Sequence, residues 1–255
     1  MTADLLSING LQMRFGGLLA VDGVDFSVRR SEVFSIIGPN GAGKTTVFNC
    51  IGGFYRPSAG QIVLDGSAIA GLSSHQVARK GLVRTFQNIR LFKQLTVVEN
   101  LLVAQHQQIK SGLFHGLFAT PAYRRAERDA LHRAAEWLNR MGMLKVANRE
   151  AGTLSYGLQR RLEIARCMIT KPRLLMLDEP AAGLNPQEKL ELSQLIDHLR
   201  REFGISVLLI EHDMSLVMGV SDRILVMEHG RPVMIGKPHE VRSDPRVIKA
   251  YLGED

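Results

Sequence analysis

Cysteine is scarce in this chain of 255 residues, with two only, Cys50 and Cys167. They stand far apart on segments that read as helices, with neither metal-ligand spacing nor a disulfide framework. Both therefore read as small buried apolar residues in a reducing compartment. No apolar run approaches the ~18–20 residues that span a bilayer, so no membrane-crossing helix is expected. The opening Met1-Thr2-Ala3-Asp4 lacks a basic segment leading into an apolar one, so no secretory signal is expected either. Internal repeats and low-complexity tracts are also missing. The net charge is +7, yet its cations are scattered, in Arg29-Arg30, Arg124-Arg125, Arg160-Arg161, Arg200-Arg201 and the C-terminal stretch. Without a basic stripe interleaved with aromatics, a nucleic-acid partner is not expected. The charge then suits a surface near anionic lipid headgroups, or one that is simply well solvated. With 45% hydrophobic and 22% charged residues, the composition is that of an ordinary globular chain with a sizeable core. A soluble cytoplasmic protein is the expectation.

What is present falls into three parts. The first third alternates short strand patterns with turns, as in Leu5–Phe15, Val24–Val28 and Gln61–Leu64, the last closed by Asp65-Gly66. Strands so closely spaced suggest an antiparallel subdomain. Val33–Ile37 is an apolar run that suits a strand buried on both faces of a parallel sheet. The middle is helical. Thr96-Val97-Val98-Glu99 is a capping box opening a helix to about Gln105, and Thr120-Pro121 reads as a cap with proline at the first helical position. The helix after it places Ala130, Ala134, Trp137, Leu138 and Met141 on one face, and Gln105–Ala119 between the two helices reads as a loop or short insertion. The last third returns to strand–helix alternation. Leu174–Leu177 and Val207–Ile210 read as parallel strands, Ile224–Met227 and Pro232–Ile235 flank a turn at His229-Gly230, and a helix near Val247–Leu252 ends at Gly253. One α/β domain over 1–255 with a helical insertion at about 88–165 accounts for this order.

Gly38-Pro39-Asn40-Gly41-Ala42-Gly43-Lys44-Thr45 fits the spacing of a phosphate loop, preceded by a buried strand and followed by a helix through Cys50. The glycines let successive N–H groups turn toward phosphate oxygens, and the helix N-terminus, with Thr46 in its first turn, faces the same anion. Lys44 is expected to bridge the β- and γ-phosphates of ATP, and the Thr45 hydroxyl to ligate Mg²⁺. Leu174–Leu177 runs into Asp178-Glu179, which places two carboxylates at the C-terminal end of a strand, where ligands bind in such sheets. Asp178 is expected to hold Mg²⁺ through water, and Glu179 to orient and polarise the attacking water as general base.

Leu154-Ser155-Tyr156-Gly157-Leu158-Gln159-Arg160-Arg161, lying shortly before Asp178-Glu179, resembles the signature loop of ATP-binding cassette (ABC) ATPases. That resemblance implies a P-loop NTPase (RecA-like) core with a mixed sheet, an antiparallel β subdomain and a helical insertion subdomain. It also implies that Ser155, Gly157 and the helix after them contact ATP bound to a second protomer. Read locally, the same segment is a serine-capped helix start. By the same resemblance Gln87 is the glutamine that touches Mg²⁺ and the γ-phosphate side, and His212 is the histidine that hydrogen-bonds the γ-phosphate. Phe15 is then the aromatic that stacks on adenine, although burial in the core suits a phenylalanine equally well. Asn185 falls where the family has an aspartate, and Asn185-Pro186-Gln187-Glu188 is also a strong local helix start.

Beyond the generic motifs, the chain is similar to the ATP-binding subunits of branched-chain amino acid importers. The phrases that carry this are Met13–Leu18, Val83–Gln87, Thr96–Ala104, Asp178–Pro186 and Val247–Gly253. The resemblance implies ATP hydrolysis coupled to import at the cytoplasmic face of the plasma membrane. It also implies pairing with a second, nonidentical ATP-binding subunit (a homodimer being open for the isolated chain), beneath two permeases served by a periplasmic binding protein. Import of urea, short amides or other amino acids is the near alternative. A soluble ABC ATPase acting on nucleic acid or ribosomes is the distant one, and the fused second cassette or long coiled-coil insertion usual there is absent. One departure stands out. The commoner Leu-Ser-Gly-Gly-Gln form is replaced by Tyr156 at the first glycine and Leu158 at the glutamine, which predicts that the composite site using this loop contributes less to turnover than its counterpart.

Overall fold

The computed structural model describes residues 4–105 and 121–252, with side chains at 4–105 and 124–248. The strands are β1 (Asp4–Phe15), β2 (Leu18–Arg29), β3 (Val33–Ile37), β4 (Ala59–Leu64), β5 (Ser67–Ala68), β6 (Leu82–Arg84), β7 (Leu174–Asp178), β8 (Ser206–Ile210), β9 (Arg223–Glu228) and β10 (Arg231–Gly236). Two compact units are formed, one by Met1–Gln87 with Arg173–Asp255 and one by Asn88–Pro172.

The first unit holds both sheets. One is antiparallel, in the order β2-β1-β4-β5. The other has the order β10-β9-β3-β8-β7-β6, parallel from β9 to β6 and antiparallel only where β10 meets β9. Every residue of β3, β7 and β8 is buried, because one face of the sheet shares a core with the antiparallel strands and the helix Lys44–Ile51 and the other packs on helices, which leaves no polar alternation. The antiparallel strands behave otherwise. β1 and β2 bury Leu6, Ile8, Leu11, Val21, Val24 and Val28 and leave other positions exposed. β2 is much longer than the expected Val24–Val28, because Leu18–Ala20 pair back onto β1 through Arg14 and Phe15. The tight hairpins at Asp65-Gly66 and His229-Gly230 carry consecutive residues at positive φ, a twist that matches the flanking strands.

In the second unit Thr96 caps the helix Val97–Ala104, accepting from the Glu99 amide while the Glu99 carboxylate accepts from the Thr96 amide. Buried Asn100 then satisfies the loop before that helix, with Nδ2 donating to the Phe92 and Thr96 carbonyls and Oδ1 accepting from the Phe92 amide. The helix Pro121–Arg140 buries Ala130, Ala134, Trp137 and Leu138, and Met141 just beyond its end is buried too. The proposed cap at Thr120 and most of the expected loop after Gln105 lie outside the described residues. In the first unit, Asn185 caps the helix Pro186–Phe203 through a complete capping box. Burial pushes the Cys50 thiol up to about 11 and the Cys167 thiol up to about 12. Among the described residues no helix is long and apolar enough to cross a membrane.

Candidate nucleotide site

The site follows from strand order. β3 lies beside β8 and β8 beside β7, all pointing the same way, so their C-terminal ends deliver Gly38–Lys44, Glu211-His212 and Asp178-Glu179 to one edge. The register puts Asp178 opposite Ile210, which brings the two acidic strand ends side by side.

The loop after β3 is shaped by glycine. Gly38, Gly41 and Gly43 have φ of 152°, 83° and 93°, a region that side chains disfavour. A Cβ on Gly38 would overlap the Met227 carbonyl oxygen, and one on Gly43 would stand 2.7 Å from the Ala20 carbonyl oxygen. The hairpin at His229-Gly230 backs the loop, with the Gly230 amide donating to the Ala42 carbonyl and its own carbonyl accepting from Asp22. Gly43 opens the helix Lys44–Ile51 without any side-chain cap, so the first-turn N–H groups carry the positive end of the helix dipole. The cavity at this point has a volume of about 390 Å³ and is lined by Asn40–Thr46 and by Leu18–Ala20, Glu179, His212, His229 and Gly230.

Lys44 is only 5% exposed. Its ammonium donates to the carbonyls of Gly38 (2.7 Å) and Pro39 (3.0 Å). Burial holds its pKa below the usual lysine range, opposed by the negative charge of Glu179. Glu179 adopts φ of 45°, which costs roughly 1–3 kcal/mol for a non-glycine residue and marks a position that the surroundings over-determine. Its carboxylate accepts from Gln87 Nε2 at 2.8 Å on Oε2, and Oε1 lies 2.8 Å from His212 Nε2. Three residues separated by up to 125 positions thus meet in one hydrogen-bonded chain. Asp178 is paired with Arg84 at 2.5 Å.

Other expected site residues are not among those that line the cavity. Phe15 is 41% exposed, edge-on to Tyr55 with ring centroids 5.3 Å apart, so it is not a core residue, and it is not among the residues that line the cavity. Ser155 and Gly157 belong to the second unit. There the Ser155 hydroxyl accepts from the Leu158 amide at 3.4 Å at the start of the helix Tyr156–Met168. Gln159 turns its amide back onto the Leu154 carbonyl at 2.9 Å, and Arg160 is buried against Glu163 at 2.7 Å.

The sequence reading missed Glu211. Its buried carboxylate accepts from the amides of Ala181 (2.7 Å), His212 (2.8 Å) and Asp213 (3.2 Å), which ties the loop after Glu179 to the loop carrying His212. The only local signal was an acid directly after an apolar strand. Leu18–Ala20, His229 and Gly230 were also missed as lining residues, since distant turns carry no phosphate-binding pattern.

Comparison with known proteins agrees with this geometry. The family model described as "ABC transporter" matches residues 21–182, well over half of the chain. The chain belongs to the ABC transporter family. A second model, described as "Branched-chain amino acid ATP-binding cassette transporter", matches residues 234–255 of this cassette. The cassette is 61% identical over 254 residues to the high-affinity branched-chain amino acid transport ATP-binding protein LivG of Escherichia coli (strain K12), covering 100% of both chains. It is equally similar to BraF of Pseudomonas aeruginosa, 61% over 254 residues and 100% of both chains. Among solved structures, it resembles the ADP conformation of MJ1267, an ATP-binding cassette of an ABC transporter, with a TM-score of 0.87, 32% identity and 99% and 100% of the two chains covered. A nucleotide-free ATP-binding cassette gives a TM-score of 0.85 at 31% identity, with 99% and 100% covered.

Proposed function

We propose that this chain is the ATP-hydrolysing subunit of an importer for branched-chain amino acids. The observation that carries hydrolysis is the placement of Glu179 between Gln87 and His212 at the edge of the cavity that Lys44 and Thr45 line. The relatives' names and the match at 234–255 support the cargo.

In the proposed reaction the loop amides and the helix N-terminus bind the phosphates of ATP, and Lys44 leaves its two carbonyl partners to reach them. The Glu179 carboxylate orients and polarises the attacking water. His212 and Gln87 each hold one oxygen of that carboxylate, so its direction is set before the nucleotide arrives. The residues fit a divalent cation of the Mg²⁺ type. Thr45 and Asp178 offer oxygen donors only, and among the described residues no cluster of three or more His, Cys, Asp or Glu side chains could hold a metal by itself. A cation arriving with the phosphates matches that donor set. When bound, it would neutralise charge on the phosphates, with Thr45, Asp178 and Gln87 as the residues that hold it.

Ser155 and Gly157 would meet ATP held by a second ATP-binding subunit, so that ATP closes the pair. Closure moves two permeases between access states, driven by the different affinity of the two conformations for ATP. The chain would then act peripherally at the cytoplasmic face of the plasma membrane, with a periplasmic binding protein delivering cargo and no nucleic-acid partner.

Glu179→Gln is expected to keep ATP binding and to lower turnover by roughly 10²–10⁴-fold, the usual range for removal of a general base. Undiminished hydrolysis would remove Glu179 from that role. Uptake of leucine, isoleucine and valine in a deletion strain, compared with urea and short amides, tests the cargo. Rescue of the amide uptake alone would reassign it.

A further inference from the structure

The aspartate expected to serve the cation is already engaged by a cation of the chain itself. Arg84, at the end of β6, places Nη2 2.5 Å from Asp178 Oδ2, with both side chains 8% exposed. Its other terminal nitrogen, Nη1, donates to Asn49 Oδ1 at 2.7 Å. The guanidinium carbon sits 5.5, 5.4 and 5.5 Å from the ring centroids of Phe48, Phe54 and Phe86, within reach of favourable cation–π attraction. Asn49 lies on the helix Lys44–Ile51, four residues after Thr45, so the two side chains share one helix face. Arg84 therefore spans from the face that carries Thr45 to the strand end that carries Asp178.

We propose that Arg84 is a positioning residue that sets the spacing between Thr45 and Asp178 for the nucleotide-bound cation, acting as a strut between Asn49 and Asp178. The inference rests on the cation reading given above. A planar guanidinium presents two nitrogens in a fixed fork, so one side chain fixes both ends at once. The three rings hold the plane of that fork. With Oδ2 committed to Arg84, Asp178 keeps Oδ1 for a water of the cation. A lysine at this position keeps the charge but has a single nitrogen, and it cannot hold both partners through separate atoms.

The test is the Mn²⁺ concentration that half-saturates binding of a fluorescent ATP analogue to the purified full chain, with nucleotide binding in excess chelator as the internal control. Arg84→Lys is expected to raise the Mn²⁺ midpoint roughly tenfold, the low end of the loss seen when a residue behind a metal ligand is removed, and to leave metal-free nucleotide binding unchanged. A wild-type midpoint in Arg84→Lys overturns the strut and reduces Arg84 to a charge balancing Asp178. Should Arg84→Lys fail to fold by circular dichroism, Asn49→Ala removes the other anchor without stranding a buried charge. It is expected to raise the midpoint in the same direction by a smaller factor, and no change there also overturns the proposal. Asp178→Asn separates the two levels of argument. A shifted midpoint in Asp178→Asn with unshifted Arg84→Lys and Asn49→Ala rejects the strut alone, and an unshifted Asp178→Asn rejects the cation reading beneath it.

Discussion

The phosphate loop and the signature-like loop both end in a helix N-terminus, yet they are held very differently. Gly38 and Gly43 are enclosed by the carbonyl oxygens of Met227 and Ala20, and Lys44 is buried over its own loop. The His229-Gly230 hairpin and the Ala42–Gly230 hydrogen bond brace the same loop. At Ser155, by contrast, the hydroxyl cap accepts from the Leu158 amide at a long 3.4 Å, the Tyr156 ring is exposed, and Gln159 turns inward to the Leu154 carbonyl. The first loop is shaped by contacts that the chain supplies itself. The second presents a capped helix end with the Tyr156 ring exposed. Self-supplied contacts make a loop intolerant of added atoms, whereas a loop facing outward tolerates change in the isolated chain and registers it only in the assembly.

The largest break in that comparison comes from Gly38→Ala. The new methyl must displace a backbone carbonyl at a strained φ, which costs about 3 kcal/mol or more when strain and overpacking combine. A fall in Tm of roughly 6–12 °C follows for a chain of this size, with loss of ATP binding measured by titration. A variant with wild-type Tm and binding would show that the loop is not enclosed as described. Ser155→Ala comes next and should cost only about 0.5–1 kcal/mol, the low end for loss of a helix cap. ATP binding to the isolated chain should stay unchanged and turnover of the assembled complex should fall. A drop in binding by the isolated chain would blur the distinction between the loops. Leu158→Gln comes last, with the opposite sign and an effect only on the complex. If a restored polar contact contributes about 0.5–1.5 kcal/mol in the transition state, turnover of the complex rises roughly 2–10-fold. An unchanged rate would show that the departure at Leu158 does not weaken the composite site.

Much of the fold was legible because it rests on local rules. The buried strands β3, β7 and β8 are continuous apolar runs, and Thr96 and Asn185 announce their helices by capping boxes. The hairpins at Asp65-Gly66 and His229-Gly230 carry their own turn residues. The extent of β2 was not legible, since Leu18–Ala20 become strand only by pairing with the end of β1. Within the site, the glycine spacing of the phosphate loop could be read directly. The partners of its charged groups could not.

The sequence by itself determined where the chain can bend sharply, which runs must be buried, and which eight residues can wrap a phosphate, because those properties depend on neighbours a few positions away. Only the tertiary structure decided that Gln87 and His212 share the two oxygens of Glu179, that Glu211 ties the loops behind them, and that Arg84 rather than solvent faces Asp178. These pairs are 92, 33, 30 and 94 residues apart. They meet because parallel strands β6, β7 and β8 end side by side, a consequence of sheet order that no local pattern encodes.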